Sequence, residues 1–209
     1  MTTYKLNYFP HRVTAELTRL IFAQGGIDYE DNRVPTEEWP ALKPKMPFGT
    51  MPVLEVNGEM IAESQAIAAF VAEVTGMRGD TPLERAKATM VCEGVHDILV
   101  KSYPIFEEKD EEKKKEKFTK FREDHVMQMV KNLEKLLSAS SNSGEWFVGE
   151  KITYADLAVF DFFDSFTPHF KFTGSDLKDD YPKLSALFER VKQLPKIDAW
   201  LKKRPHSEY

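Results

Sequence analysis

Val53-Leu54-Glu55-Val56-Asn57-Gly58-Glu59-Met60-Ile61-Ala62-Glu63-Ser64 is the stretch whose reading decides the fold. Two short apolar runs flank Asn57-Gly58. Asn-Gly readily takes the two positive φ angles of a type I′ turn, so the runs are predicted to form a hairpin. Ser64 then opens a helix that carries Ile67, Phe70 and Val71 at helical spacing and ends near Gly76. Met51-Pro52 stands just ahead of the hairpin. Proline cannot donate to a ladder, so it reads either as an ordinary trans proline opening an edge strand or as a cis turn. A cis turn would face the Met51 N–H and C=O outward, where an extended peptide can pair with them as an added strand. Ser64 has two readings as well. It caps its own helix, or the free N–H groups and the helix dipole there receive an anion. Glu63 beside it suits an ammonium group.

Outward toward the N-terminus, Tyr4-Lys5-Leu6-Asn7-Tyr8-Phe9 alternates, a strand with Tyr4, Leu6 and Tyr8 on one face. Leu17, Leu20 and Ile21 fall at helical spacing within 14–24, and Gly25-Gly26 signals the helix end. A second strand is expected at 29–34, and Thr36-Glu37-Glu38-Trp39 reads as the capped start of a short helix or turn. The order β-α-β, link, β-β, α predicts a small sheet with helices over residues 1–79.

Toward the C-terminus the strand signals stop. Thr81-Pro82-Leu83-Glu84 is a capping box with proline at the first helical position, opening a long helix toward Tyr103-Pro104. Residues 107–120 are almost all charged, a solvated helix end. Phe118, Phe121, Met129, Val130, Leu133, Leu136 and Leu137 follow as an amphipathic helix. Thr153-Tyr154-Ala155-Asp156 is a second capping box, and Pro182 and Pro195 precede two last short helices. Residues 80–209 are therefore expected to be all-helical.

Net charge −5 and a pI near 5.6 give no electrostatic case for nucleic acid. No apolar run is long enough to span a bilayer. Cys92 is the single cysteine, which leaves neither a disulfide framework nor a thiolate zinc site within the chain and suits a reducing compartment. With no apolar signal stretch at the N-terminus, the expected location is cytoplasmic. His11, His96, His125, His169 and His206 show no zinc-binding spacing, so no metal is expected.

Two further features sharpen the site. Trp39 and Lys43 are four apart, so a helical turn places them on one side, and Lys43 suits a carboxylate. Tyr8 closes the first strand. It reads as a core tyrosine or as a hydroxyl that donates to a developing anion. Together these residues describe a site for a small peptide with two carboxylates and one amine.

The stretches Tyr4–Phe9, Tyr29-Glu30-Asp31, Trp39-Pro40, Pro47-Phe48-Gly49-Thr50-Met51-Pro52 with the hairpin, and Glu63-Ser64 resemble the cytosolic glutathione transferases, most of all the sigma class. That class takes in invertebrate enzymes, haematopoietic prostaglandin D synthase and lens S-crystallins. Lys203-Arg204-Pro205 resembles the family's C-terminal signature. The resemblance implies a thioredoxin-like first domain, a helical second domain, a homodimer and a cis Pro52. It implies that Tyr8 hydrogen-bonds the sulfur of glutathione, whose thiolate attacks an electrophile in detoxification. Trp39, Lys43, Met51, Pro52, Glu63 and Ser64 match its glutathione-contacting positions, and Asp97 matches an acid that reaches the neighbouring subunit's glutathione. By the same likeness His11, Thr14 and Tyr103 are candidates for the electrophile pocket.

One departure stands out. The family commonly carries Gly-Arg where this chain has Val13-Thr14, and that arginine supports the tyrosine hydroxyl. Thr14 is left as a neutral donor or only a helix cap. The departure keeps open a weakly active, glutathione-binding structural protein of the S-crystallin type. A prostaglandin D isomerase is the other alternative, although Glu93, His96 and Asp97 match its acidic cation cluster imperfectly.

Overall fold

The computed structural model describes residues 2–141, 144–170 and 180–207, the side chains of 166–170 excepted. The side chain of His169 thus lies outside the described residues. The chain divides into two compact units, Met1–Arg78 with Gln193–Tyr209, and Gly79–Lys192.

In the first unit the elements are β1 (Tyr4–Tyr8), α1 (Glu16–Gly25), β2 (Glu30–Arg33), α2 (Trp39–Leu42), β3 (Val53–Val56), β4 (Glu59–Ala62) and α3 (Ser64–Val74). The strands form one sheet in the order β2-β1-β3-β4. β1 and β2 are parallel, which requires the crossover that α1 supplies; the other pairs are antiparallel. Asn57 and Gly58 have φ of 50° and 89°, so the hairpin takes the mirror-image turn its sequence calls for. Gly26 closes α1 at φ 69°, and its N–H reaches the carbonyls of Phe22 and Ala23. A Cβ on Gly25 would stand 2.3 Å from Thr75 Cγ2, so only glycine lets α1 end against this residue.

β1 lies between two strands, and Asn7 is buried along with Leu6 and Tyr8. A buried amide needs partners. Asn7 Nδ2 donates to Glu55 Oε1 at 2.8 Å, and Asn7 Oδ1 accepts from Asn32 Nδ2 at 2.6 Å. Leu6, Leu20, Ile21, Phe22, Leu54, Ile67 and Val71 form the apolar interior of this unit.

The second unit holds α4 (Pro82–Phe106), α5 (Glu111–Phe121), α6 (Met127–Ser138), α7 (Tyr154–Phe170) and α8 (Pro182–Lys192). Both arms of the capping box at Thr81 and Glu84 are made. A π-helical stretch, Arg122–Val126, joins α5 to α6. Cys92, Val130, Leu137, Tyr154, Phe160, Phe163, Leu187 and Val191 are buried at its centre. No helix among the described residues is long and apolar enough to cross a membrane.

Residues 193–207, with α9 (Pro195–Lys203), group with the first unit. The reason is chemical: the Trp200 indole and Arg204 satisfy the buried carboxylate of Glu16 on α1. The structure departs from expectation at three places. No side chain caps α2; residues 36–38 form a turn, and Thr36 offers its carbonyl to the Trp39 N–H. Ser64 is the first helical residue of α3 and not its cap. Glu63 holds the cap position at φ 71°, ψ 116°, without a side-chain cap bond. At residues 153–156 the acid is the hub. The Thr153 N–H and hydroxyl both donate to Asp156 Oδ2, at 2.7 and 2.9 Å, and the Phe147 N–H donates to Oδ1 at 2.9 Å.

Candidate active site

The register of the sheet assembles the site. Asn7 pairs with Val53, and Val53 with Ala62. One step further along each strand stand Tyr8, Pro52 and Glu63, a row across one end of the sheet. The Met51–Pro52 bond is cis. Met51 is half-buried and lies two residues ahead of the first paired residue of β3.

Glu63 and Ser64 form the third position of the row. Positive φ at a glutamate is uncommon; here it turns the chain from β4 directly into α3. The first-turn N–H groups of a helix have no acceptor within it, and no side chain caps this one. The Glu63 carboxylate is exposed and makes no ion pair among the described residues. An open helix start beside a free carboxylate suits the two charged ends of an α-amino acid.

α2 supplies the flank. Trp39 packs with Leu42 against buried Met46, Val53 and Ala62, residues adjoining Pro52 and Glu63. Its ring also meets Phe9 edge-on at 5.6 Å. Lys43 follows α2 directly and is exposed; its stem passes within van der Waals reach of the position a Cβ on Gly49 would occupy. Among the described residues its cation has no partner, which suits it to a carboxylate.

Tyr8 is buried, with its ring edge-on to Phe9 at 5.8 Å. Thr14 Oγ1 donates to Tyr8 Oη at 3.1 Å. Thr14 thus offers the phenol a neutral hydroxyl. With its lone pair engaged, the Tyr8 O–H remains to donate elsewhere. Thr14 is thereby tied to the tyrosine. His11 is exposed, and its carbonyl accepts from Arg19 Nη1 at 2.8 Å. Asp97 and Tyr103 lie on α4 of the other unit; Asp97 is exposed and paired with Lys101. Among the described residues no group of histidines, cysteines or acids could hold a metal ion.

Val13, next to Thr14, has φ 31°. A β-branched residue in this region is strained, at about 1–3 kcal/mol. Val13→Gly is expected to relieve more strain than glycine loses in chain entropy, raising stability by about 1 kcal/mol. A thermal melt reads this as a midpoint a few degrees higher; an unchanged or lower midpoint would mean that the turn holds Val13 without strain.

The chain matches the glutathione S-transferase N-terminal domain over residues 4–73 and the C-terminal domain over residues 96–204. The chain belongs to the glutathione S-transferase family. Hematopoietic prostaglandin D synthase of Gallus gallus is 38% identical over 207 residues, covering 99% of each chain. Glutathione S-transferase 1 of Ascaris suum is 38% identical over 216 residues, covering all of both. Among solved structures, a glutathione S-transferase of the hookworm Necator americanus, described as monomeric, superposes with a TM-score of 0.86 at 33% identity, covering 99% of this chain and 100% of that one. The sheet with its helices is accordingly the thioredoxin-like domain of a glutathione S-transferase, and the second unit is largely its helical domain. Glutathione is the co-substrate of this transferase family.

Tyr8, Pro52 and Glu63 were legible as single candidates and not as a row, and Glu16 and Arg19, charged residues three apart on a helix face otherwise of Leu17, Leu20 and Ile21, were missed. Charges within an apolar face were the available signal. The bond from Thr14 to Tyr8 was one of two readings left open by the residue types.

Proposed function

We propose that this glutathione S-transferase binds glutathione along the row Tyr8, Pro52, Glu63 and activates its thiol with Tyr8 for attack on electrophiles, a cytoplasmic detoxification role. The observation that carries the reading is the bond from Thr14 to the Tyr8 hydroxyl, which leaves the phenol's own proton to be donated elsewhere. In this reading the Met51 backbone pairs with the peptide and the open start of α3 at Ser64 takes the α-carboxylate. Glu63 takes the ammonium, and Lys43 with Trp39 takes the second carboxylate. A thiol near pKa 8.5 is mostly protonated at neutral pH. A positioned O–H that bonds sulfur more strongly as an anion raises the reactive fraction. The thiolate then bonds to carbon while the leaving group departs with its electron pair.

A homodimer fits the surface of α4. Leu83 and Met90, 65% and 52% exposed, share a face with Asp97 at seven-residue spacing. Asp97 in such a dimer would reach the partner's glutathione, as in the sigma class.

Purified protein is expected to form thioethers from glutathione and an activated aryl halide, followed by absorbance. No turnover at any pH, with glutathione still bound, would support the structural reading instead. The likeness to a prostaglandin D synthase makes a prostaglandin endoperoxide the second electrophile to assay.

A further inference from the structure

α1 buries two charges. The side chains of Glu16 and Arg19 have no exposed surface. Taking ions out of water is costly unless their donors and acceptors are met, so the partners identify what the pair is for. Glu16 Oε1 accepts from the Trp200 indole N–H at 2.9 Å and from Arg204 Nη1 at 3.1 Å, while Oε2 faces Arg19 Nη1 at 3.4 Å. Arg19 Nε donates to Asp31 Oδ1 at 3.0 Å, and Arg33 holds the other oxygen of Asp31 at 2.9 Å. Burial, and next the charge of Asp31, push the Tyr29 phenol above its ordinary range. Among the described residues, the guanidinium groups of Arg19, Arg33 and Arg204 meet the carboxylates of Glu16 and Asp31.

Two observations tie this cluster to the site. Arg19 Nη1 donates to the His11 carbonyl, in the loop that carries Thr14. Arg19 also lies over the Tyr8 ring, Cζ 6.0 Å from its centroid, and its buried Nη2 makes no hydrogen bond among the described residues. A cation over an aromatic face is attracted to it, and a nearby positive charge favours a thiolate bonded to that phenol.

We propose that Arg19 is a positioning residue for Tyr8, held in place by a clasp from the C-terminal segment. Trp200 and Arg204 fix Glu16; Glu16 and Asp31 fix Arg19; Arg19 fixes the loop at His11 and sets the electrostatics beneath the Tyr8 ring. The proposal rests on Tyr8 being the thiol-activating group. It makes residues 200 and 204, remote in sequence, determinants of thiol acidity.

The test compares wild type, Arg19→Met, Arg204→Met and Tyr8→Phe by urea unfolding and by the pH profile of kcat/KM with an aryl halide. For Arg19→Met that remains folded, the apparent thiol pKa is expected to rise by about 0.5–1 unit. kcat at neutral pH should fall by more than KM for glutathione changes. Arg204→Met should shift the same way by less, and it decides the matter if Arg19→Met does not fold. Folded variants with the wild-type profile would overturn the proposal and leave the cluster purely structural. Wild-type rates in Tyr8→Phe would instead overturn the role of Tyr8 on which the proposal rests.

Discussion

Tyr8→Phe lowers kcat/KM for glutathione conjugation by about 10²-fold, the scale of losing one donor to a developing anion. The ring is buried against Phe9 and beneath Arg19, and phenylalanine fills that space. The change removes one oxygen and leaves Thr14 without its acceptor. Because Lys43, Glu63 and the start of α3 are untouched, glutathione affinity should change by only a few-fold. Steady-state kinetics beside equilibrium binding separate the two effects. An equal loss in both would mean that Tyr8 binds the tripeptide without activating it.

Asp156→Ala destabilises the protein by about 3 kcal/mol, since it leaves the buried N–H groups of Phe147 and Thr153 without their acceptor. Urea unfolding reads this as a lower midpoint at a similar slope. The effect also depends on pH. Burial raises the Asp156 carboxyl from 3.8 to about 6, opposed by hydrogen bonds from Phe147 and Thr153. A folded value above the unfolded one means that the folded state binds the extra proton, so this contribution is fully present below about pH 4 and is lost as pH rises through about 6. The advantage of wild type over Asp156→Ala therefore narrows across that window. A gap that widened with pH would show that the three hydrogen bonds outweigh desolvation.

The fold was legible wherever a local rule acts alone. Asn57-Gly58 admits few turns other than the one it makes, and the box at Thr81 and Glu84 satisfies its own helix end. Ser64 was misplaced by one residue because the cap position fell to Glu63, a residue type that rarely takes positive φ. Trp200 and Arg204 reach a carboxylate at Glu16, nearly two hundred residues away, and no periodicity reports such a pairing. The site divided along the same line. Its row follows from strand register, whereas the contact between Thr14 and Tyr8 depends on the path of the loop at Val13, which the sequence leaves open.

The central claim is that the Tyr8 hydroxyl stabilises the thiolate of bound glutathione. Ultraviolet titration of the thiol in the binary complex tests it directly, in wild type and in Tyr8→Phe. An apparent pKa below the ordinary thiol value of about 8.5 is expected in wild type, with a return toward that value in the variant. A wild-type value near 8.5 that the substitution leaves unchanged would contradict it.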